Sequence, residues 1–249
     1  MKMKKEGKVS SPFAQKRMEA FGQERTDHLF RNIENLEYAI DQIFKKLTPE
    51  INRGDFTLII GDDASGRIPT FIIAHALKTI YKKKKLQPPI VRFIAGSTRL
   101  SESERKRKLE KVATQIGRIK ETVIKAHGTI GKALVVTDIV ETGASLRVLL
   151  DALSQNHMDA QPVSLGESTV NNAHKEELTE EQIRRLIVGD SDNRLFIYGK
   201  RQMSGVQKNP NDLFATPADG LDRNMPAAAR AVAMQVAEKV VTEFFKKHP

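Results

Sequence analysis

Cysteine is absent from this 249-residue sequence. That excludes disulfides, thiolate zinc sites and cysteine nucleophiles, and a reducing, cytoplasmic location is expected. Long apolar runs are absent as well. None approaches the ~18 residues needed to cross a bilayer, so no membrane partner is expected. Residues 1–8 are basic, but no apolar core follows them, which argues against a secretory signal. His75, His157 and His174 are too scattered for a metal site, and neither an H-E-x-x-H motif nor a serine-histidine-aspartate constellation occurs. Zinc-enzyme and hydrolase readings therefore lack support, and no metal site built by the protein alone is expected. Aromatic residues make up only 6% of the chain and do not interleave with the basic ones, so the stacking platform of single-strand nucleic-acid binders is missing.

What the chain has in excess is positive charge, unevenly placed. The formal net charge is +10, yet residues 78–132 alone carry 16 Lys/Arg against 4 Asp/Glu, a net of +12. Such a block implies an anionic partner, nucleic acid among them, or a solvated face. Within it, Ser101-x-x-Glu104 reads as a capping box opening a helix that runs to about residue 126. Leu109, Val112, Ile116, Ile119 and Val123 form its apolar stripe, while Arg105, Arg107, Lys108, Lys111, Arg118 and Lys125 occupy other faces. A scaffold helix, a dimer seam and a nucleic-acid face all fit that pattern.

The most informative stretch is residues 133–146, A-L-V-V-T-D-I-V-E-T-G-A-S-L. An apolar run through Leu134, Val135 and Val136 predicts a strand over 134–137 covered on both faces, as in parallel sheets. A small-residue loop follows, then a helix over 145–153. In such sheets ligands bind where strands end and helices begin. Gly143 permits a sharp turn and close approach of an anion. Amides from Thr142 through Ala144 to Ser145 sit where a helix begins and favour negative charge, and the Thr142 and Ser145 hydroxyls add donors. Asp138, an acceptor only when ionised, suits a pair of vicinal hydroxyls. Together these residues describe a ribose 5-phosphate site; Asp138 or Thr142 serving only as a helix cap fits the spacing equally well.

An earlier loop, Gly61-Asp62-Asp63-Ala64-Ser65-Gly66-Arg67, joins a strand predicted over 56–60 to a helix over 68–81. Gly61 and Gly66 have P-loop separation, but Arg67 and Ile68 stand where Lys and Ser/Thr are required, which excludes a nucleoside triphosphatase of that type. Ser65, Gly66 and Arg67 nevertheless offer a hydroxyl, a permissive backbone and a fork of donors for phosphate. Asp62 and Asp63 would repel pyrophosphate unless a cation or backbone hydrogen bonds offset them. A loop that merely caps the next helix is the alternative.

V-V-T-D-I-V-E-T-G-A-S resembles the phosphoribosyl pyrophosphate (PRPP) signature of type I phosphoribosyltransferases, and the D-D-A-S-G-R loop is similar to their first-strand loop. The resemblance implies an α/β fold with a central, mostly parallel sheet flanked by helices, with N-terminal helices and an irregular hood segment. It implies transfer of ribose 5-phosphate from PRPP to a nitrogenous base, releasing pyrophosphate, with Mg2+ bound to the substrate's pyrophosphate. Asp138, Thr142, Gly143, Ala144 and Ser145 would hold the ribose 5-phosphate. Asp63, Ser65, Gly66 and Arg67 would hold the pyrophosphate. Glu141 falls where purine-salvage members carry an acid that assists the base. Thr137 departs from the signature, standing where the first of two acids is usual. Residues 78–132 fall where the family has a mobile loop over its active site. The hood would draw on the N-terminal helices and residues 199–224, with Phe196, Tyr198 and Phe214 to stack a base and Lys200 or Arg201 to hydrogen-bond it. The alternative from another class is a non-catalytic regulator on the same fold, sensing PRPP or a nucleotide and binding nucleic acid through residues 78–132.

Other segments complete the expected order. Residues 1–12 read as a tail, 13–21 as a short helix, and 26–47 as an amphipathic helix with Leu29, Ile33, Leu36, Ile40, Ile43 and Leu47 on its stripe, stopped by Pro49. Residues 1–50 are expected to cover the core or form an oligomer contact, and 51–249 to make one α/β domain. Strands are predicted over 90–95, 161–165 and 195–198. Thr179-x-x-Gln182 should cap a short helix ending near Val188, and Pro226 should open a terminal helix with Val232, Val236, Val240 and Phe244 on one face. A homo-oligomer is expected.

Overall fold

The computed structural model describes residues 32–62, 66–96, 102–167, 177–190, 206–207, 213–214, 216–217 and 224–248. The elements are α1 (Leu36–Lys46), α2 (Thr48–Arg53), β1 (Phe56–Asp62), α3 (Arg67–Lys83), β2 (Ile90–Ile94), α4 (Glu102–His127), β3 (Lys132–Val140), α5 (Ala144–Gln155), β4 (Ala160–Glu167), α6 (Glu180–Arg185), β5 (Ile187–Asp190), β6 (Val206–Gln207), β7 (Thr216–Pro217) and α7 (Asn224–Lys247).

Five strands form a parallel sheet in the order β2-β1-β3-β4-β5, flanked by helices on both faces. This is the expected α/β class. All seven residues of β1 are buried, as the apolar run Phe56–Ile60 requires of a strand covered twice. One face packs Ile59, Leu134, Val136, Val163 and Leu165 against α1, α3 and α7. The other packs Leu58, Ile60, Ala133 and Val135 against α4 and α5. Ile33, Leu36, Ile40, Ile43 and Leu47 are all buried, so the stripe read from the sequence is the packed face of the N-terminal helical segment. Val236, Val240 and Phe244 do the same for α7. No helix among the described residues is long and apolar enough to cross a membrane.

Three expectations need correction. Pro49 does not simply stop a helix: it occupies the first turn of α2, where its missing N–H costs no bond. The strand expected over 134–137 continues to Val140, so Asp138 lies inside β3. The helix capped by Thr179 ends at Arg185, and Ile187–Asp190 is the fifth strand. Its capping box is present, with Thr179 N donating to Gln182 Oε1 at 3.0 Å and Gln182 N to Thr179 Oγ1 at 3.2 Å. The helix over 13–21, the start of the one over 26–47, the Ser101 cap, the strand over 195–198, and Phe196, Tyr198, Lys200 and Arg201 lie outside the described residues.

Candidate functional site

The strand order reverses between β1 and β3. From β1 the chain passes through α3 on one face to β2, and from β3 it passes through α5 on the other face to β4. Where helices leave to opposite faces, the carboxyl ends of the two strands form the topological switch point, the crevice position at which open α/β sheets bind ligands. Parallel pairing through Gly61↔Val136 sets those ends side by side. The β1–α3 and β3–α5 turns therefore share one edge of the sheet.

Asp138 is the buried carboxylate of this edge whose hydrogen-bonding capacity is not used up. It is 3% exposed, and its Oδ2 has no hydrogen-bond partner among the described residues. Among the described residues its other oxygen accepts one long bond, 3.5 Å, from Thr137 Oγ1. Strand alternation puts Asp138 on the face of Leu134 and Val136. The β3 backbone beside it is held by the β3–β4 ladder, and Ser164 Oγ on β4 lies 3.2 Å from the Asp138 carbonyl while its shorter contact is to the Gly166 carbonyl at 2.6 Å. A buried carboxylate oxygen without a donor is costly unless a ligand supplies one.

The turn after β3 runs through Glu141 and Thr142, both exposed, to Gly143. Gly143 has φ 83°, a left-handed conformation that L side chains resist. A Cβ there would also stand 2.6 Å from Leu178 Cγ. The glycine thus answers to the turn and to Leu178, rather than leaving open space for an anion on that side. No side chain caps α5 from Gly143. Thr142 Oγ1 accepts from Ala144 N at 3.3 Å, and the α5 hydrogen-bond ladder begins with Arg147 N to Gly143 O at 2.8 Å. The N-terminus of a twelve-residue helix whose N-cap glycine supplies no side-chain acceptor is suited to an anion.

A clamp that sequence reasoning missed holds this turn from outside. Glu177 N donates to the Thr142 carbonyl at 3.1 Å, and Arg147 Nη1 donates to the Glu177 carbonyl at 2.9 Å. The Glu177 carboxylate takes two bonds from the Arg105 guanidinium on α4, one of them Nη2 to Oε1 at 3.0 Å. Arg105 holds the Glu177 carboxyl below the ordinary glutamate range. The turn, α4 and α5 are joined through one residue.

The first-strand turn is built differently. Asp62 is 4% exposed, and its Oδ1 accepts from Gly96 N, just past β2, at 3.1 Å. A Cβ on Gly96 would lie 2.5 Å from the Ser145 carbonyl, so the end of β2 is pressed against the start of α5. Gly66 precedes α3, and a Cβ there would meet Asp62 O at 2.5 Å and Val136 O at 3.1 Å. Its own N–H donates to Asp62 O at 2.9 Å. Arg67 is half-buried with its guanidinium over the Phe93 ring, 5.1 Å from the centroid, on the β2 side of β1. Asp63 and Ser65 lie outside the described residues. Residues 102–127 form one continuous helix whose Val112, Ile116, Ile119 and Val123 are buried in the core, a scaffold where the resemblance implied a mobile loop.

No family model and no curated protein sequence matches the chain. Among solved structures it is similar to the crystal structure of orotate phosphoribosyltransferase from Aeropyrum pernix, at 14% identity over 61% of this chain and 67% of that one, with a TM-score of 0.32. So loose a likeness assigns no residue roles.

Proposed function

We propose that the chain binds PRPP in the β1/β3 crevice and transfers its ribose 5-phosphate to a nitrogenous base, releasing pyrophosphate. Asp138 carries this reading: a buried carboxylate oxygen without a donor among the described residues, on the strand whose following turn leads into the N-terminus of α5. The first suits hydroxyl donors and the second suits phosphate, and ribose 5-phosphate offers both on one small molecule. Asp138 would hold the ribose hydroxyls, and Thr142 to Ser145 the 5-phosphate. Asp63, Ser65, Gly66 and Arg67 would face the pyrophosphate, and magnesium would enter with it as part of the substrate.

The reaction breaks the bond between the ribose anomeric carbon and pyrophosphate, which leaves with the bonding electrons. A base nitrogen supplies the electron pair of the new bond as positive charge develops on the ring. The chain's part is to hold the sugar in line and to exclude water. Glu141, exposed at the mouth of the crevice, would exchange a proton with the base.

One observation favours a second reading. Thr137 is buried and neutral, so Asp138 is the one carboxylate that β3 brings to the edge. A site of reduced negative charge could hold PRPP or a nucleotide as a sensor. A panel of bases incubated with PRPP and magnesium, following pyrophosphate, separates the two. Release that depends on one base supports transfer. Binding of PRPP without release for any base supports the sensor, and absence of binding rejects both.

A further inference from the structure

We infer that the outer face of α4 binds the phosphodiester backbone of a nucleic acid, independently of the crevice. Arg107, Lys111, Arg118 and Lys125 are all exposed. At about 100° of rotation per residue they fall within roughly 40° of one another around the helix, in a row about 27 Å long. Val112, Ile116, Ile119 and Val123 lie on the opposite side and are buried, so the core itself turns the row squarely toward solvent. Arg107 and Lys111 stand at a spacing where like charges repel, and the helix keeps them there.

None of the four cations in the row makes an ion pair among the described residues. The contrast is with the α1/α7 face, where Lys45 and Lys247 pair with Asp41, Lys239 with Glu37 and Lys246 with Glu243. Glu110 and Glu121 flank the row without pairing to it.

The shape of the row selects the partner. A helix lying on a membrane needs its apolar face for the lipid, and the apolar face of α4 is spent in the core. Successive cations sit about 6 and 10 Å apart along the axis, a regular line matching the regular charge of a duplex, whose strands rise about 3.4 Å per phosphate. The row holds only Arg and Lys, with neighbouring Thr114 and Thr122 hydroxyls bonded back to their own helix at 2.9 and 3.1 Å. The contacts proposed for it are therefore to phosphates, which position a protein on the backbone without reading sequence.

The test is fluorescence anisotropy of the full chain with a random duplex of DNA across a salt series. Four phosphate contacts predict that log K falls with log salt at a slope of about −3 to −4. Replacing Arg107, Lys111, Arg118 and Lys125 together by alanine should weaken binding at least about 100-fold at 0.1 M salt and flatten the slope by about three. The matched variant lacking Lys45, Lys239, Lys246 and Lys247 should change affinity less than about 3-fold, since those cations are already paired. Should the first variant melt early, Lys111→Gln alone replaces it and should flatten the slope by about one. No binding at 50 mM salt, a slope shallower than about −1, equal losses in both quadruple variants, or equal affinity for poly-glutamate would each overturn the assignment.

Discussion

Two turns lie at the same edge of the sheet, each preceded by a buried aspartate and each leading through a glycine N-cap into a helix. In the β1–α3 turn the aspartate is satisfied from within: Asp62 accepts from Gly96 N, and Gly66 is wedged against the carbonyls of Asp62 and Val136. In the β3–α5 turn Asp138 keeps an oxygen without a donor, and the turn is braced from outside by Glu177 and Leu178. In the first turn the Asp62 carboxylate fixes the residue just past the end of β2. An unpartnered buried acceptor distinguishes the second turn from the first, whereas both share a glycine before their helix.

The comparison can be broken at four points, in descending order of expected effect. Glu141 belongs to the second turn alone. Glu141→Gln should lower turnover ~10²–10⁴-fold while leaving PRPP affinity unchanged, as steady-state kinetics beside a binding titration would show. An equal loss of affinity would make Glu141 a binding residue.

Next come the glycines. Gly66→Ala should cost about 3 kcal/mol of stability, because the atoms facing the new methyl are backbone carbonyls that cannot turn aside. Gly143→Ala should cost less, about 1–2 kcal/mol from the left-handed backbone, since the atoms facing the new methyl belong to the Leu178 side chain rather than to backbone. Urea denaturation of both variants gives the order, and a reversed order would contradict the contrast between a wedged and a braced turn.

The aspartates should then separate in stability. Asp62→Ala loses a bond to a charged acceptor and should cost about 1.5–3 kcal/mol. Asp138→Asn should leave the melting temperature unchanged or raise it, because it removes a buried charge whose Oδ2 has no donor. Destabilisation of both by similar amounts would mean that Asp138 is a structural residue.

The smallest effect concerns the brace. Glu177 has a lowered carboxyl pKa, so its contribution is present above the unfolded value near 4.5 and is lost as pH falls through the folded one. Both partners are about a third exposed, which limits the pair to less than about 1 kcal/mol. The difference in melting temperature between the parent chain and Glu177→Gln should be constant from about pH 6 to 8 and vanish on acidification. A difference that grows toward acid pH would remove the brace from the account.

Most of this frame was legible in the residues. Runs such as Leu58–Ile60 and Leu134–Val136 can hardly be anything but doubly covered strands, and the stripes of α4 and α7 face the core as their periodicity requires. β5 was hidden because Leu186, Ile187 and Val188 continue the apolar pattern of α6; only the extended backbone of Leu186, ψ 121°, breaks the helix. Asp138 was read as lying beyond its strand because charge ordinarily ends a buried one, whereas at the switch point the strand carries it inside. Nothing local announces the links from Asp62 to Gly96 or from Arg105 to Glu177, which bridge 34 and 72 residues. Such links are set by packing, and a single sequence gives no period from which to read them.

The central claim is that Asp138 waits for the hydroxyls of a ribose phosphate. Calorimetric titration of PRPP with magnesium into the parent chain and into Asp138→Asn tests it directly. Loss of at least one charge-assisted bond, about 1.5–3 kcal/mol, predicts affinity reduced roughly 10- to 100-fold in a variant that melts no earlier than its parent. Equal affinity in the two proteins, or no binding of PRPP by either, would contradict it.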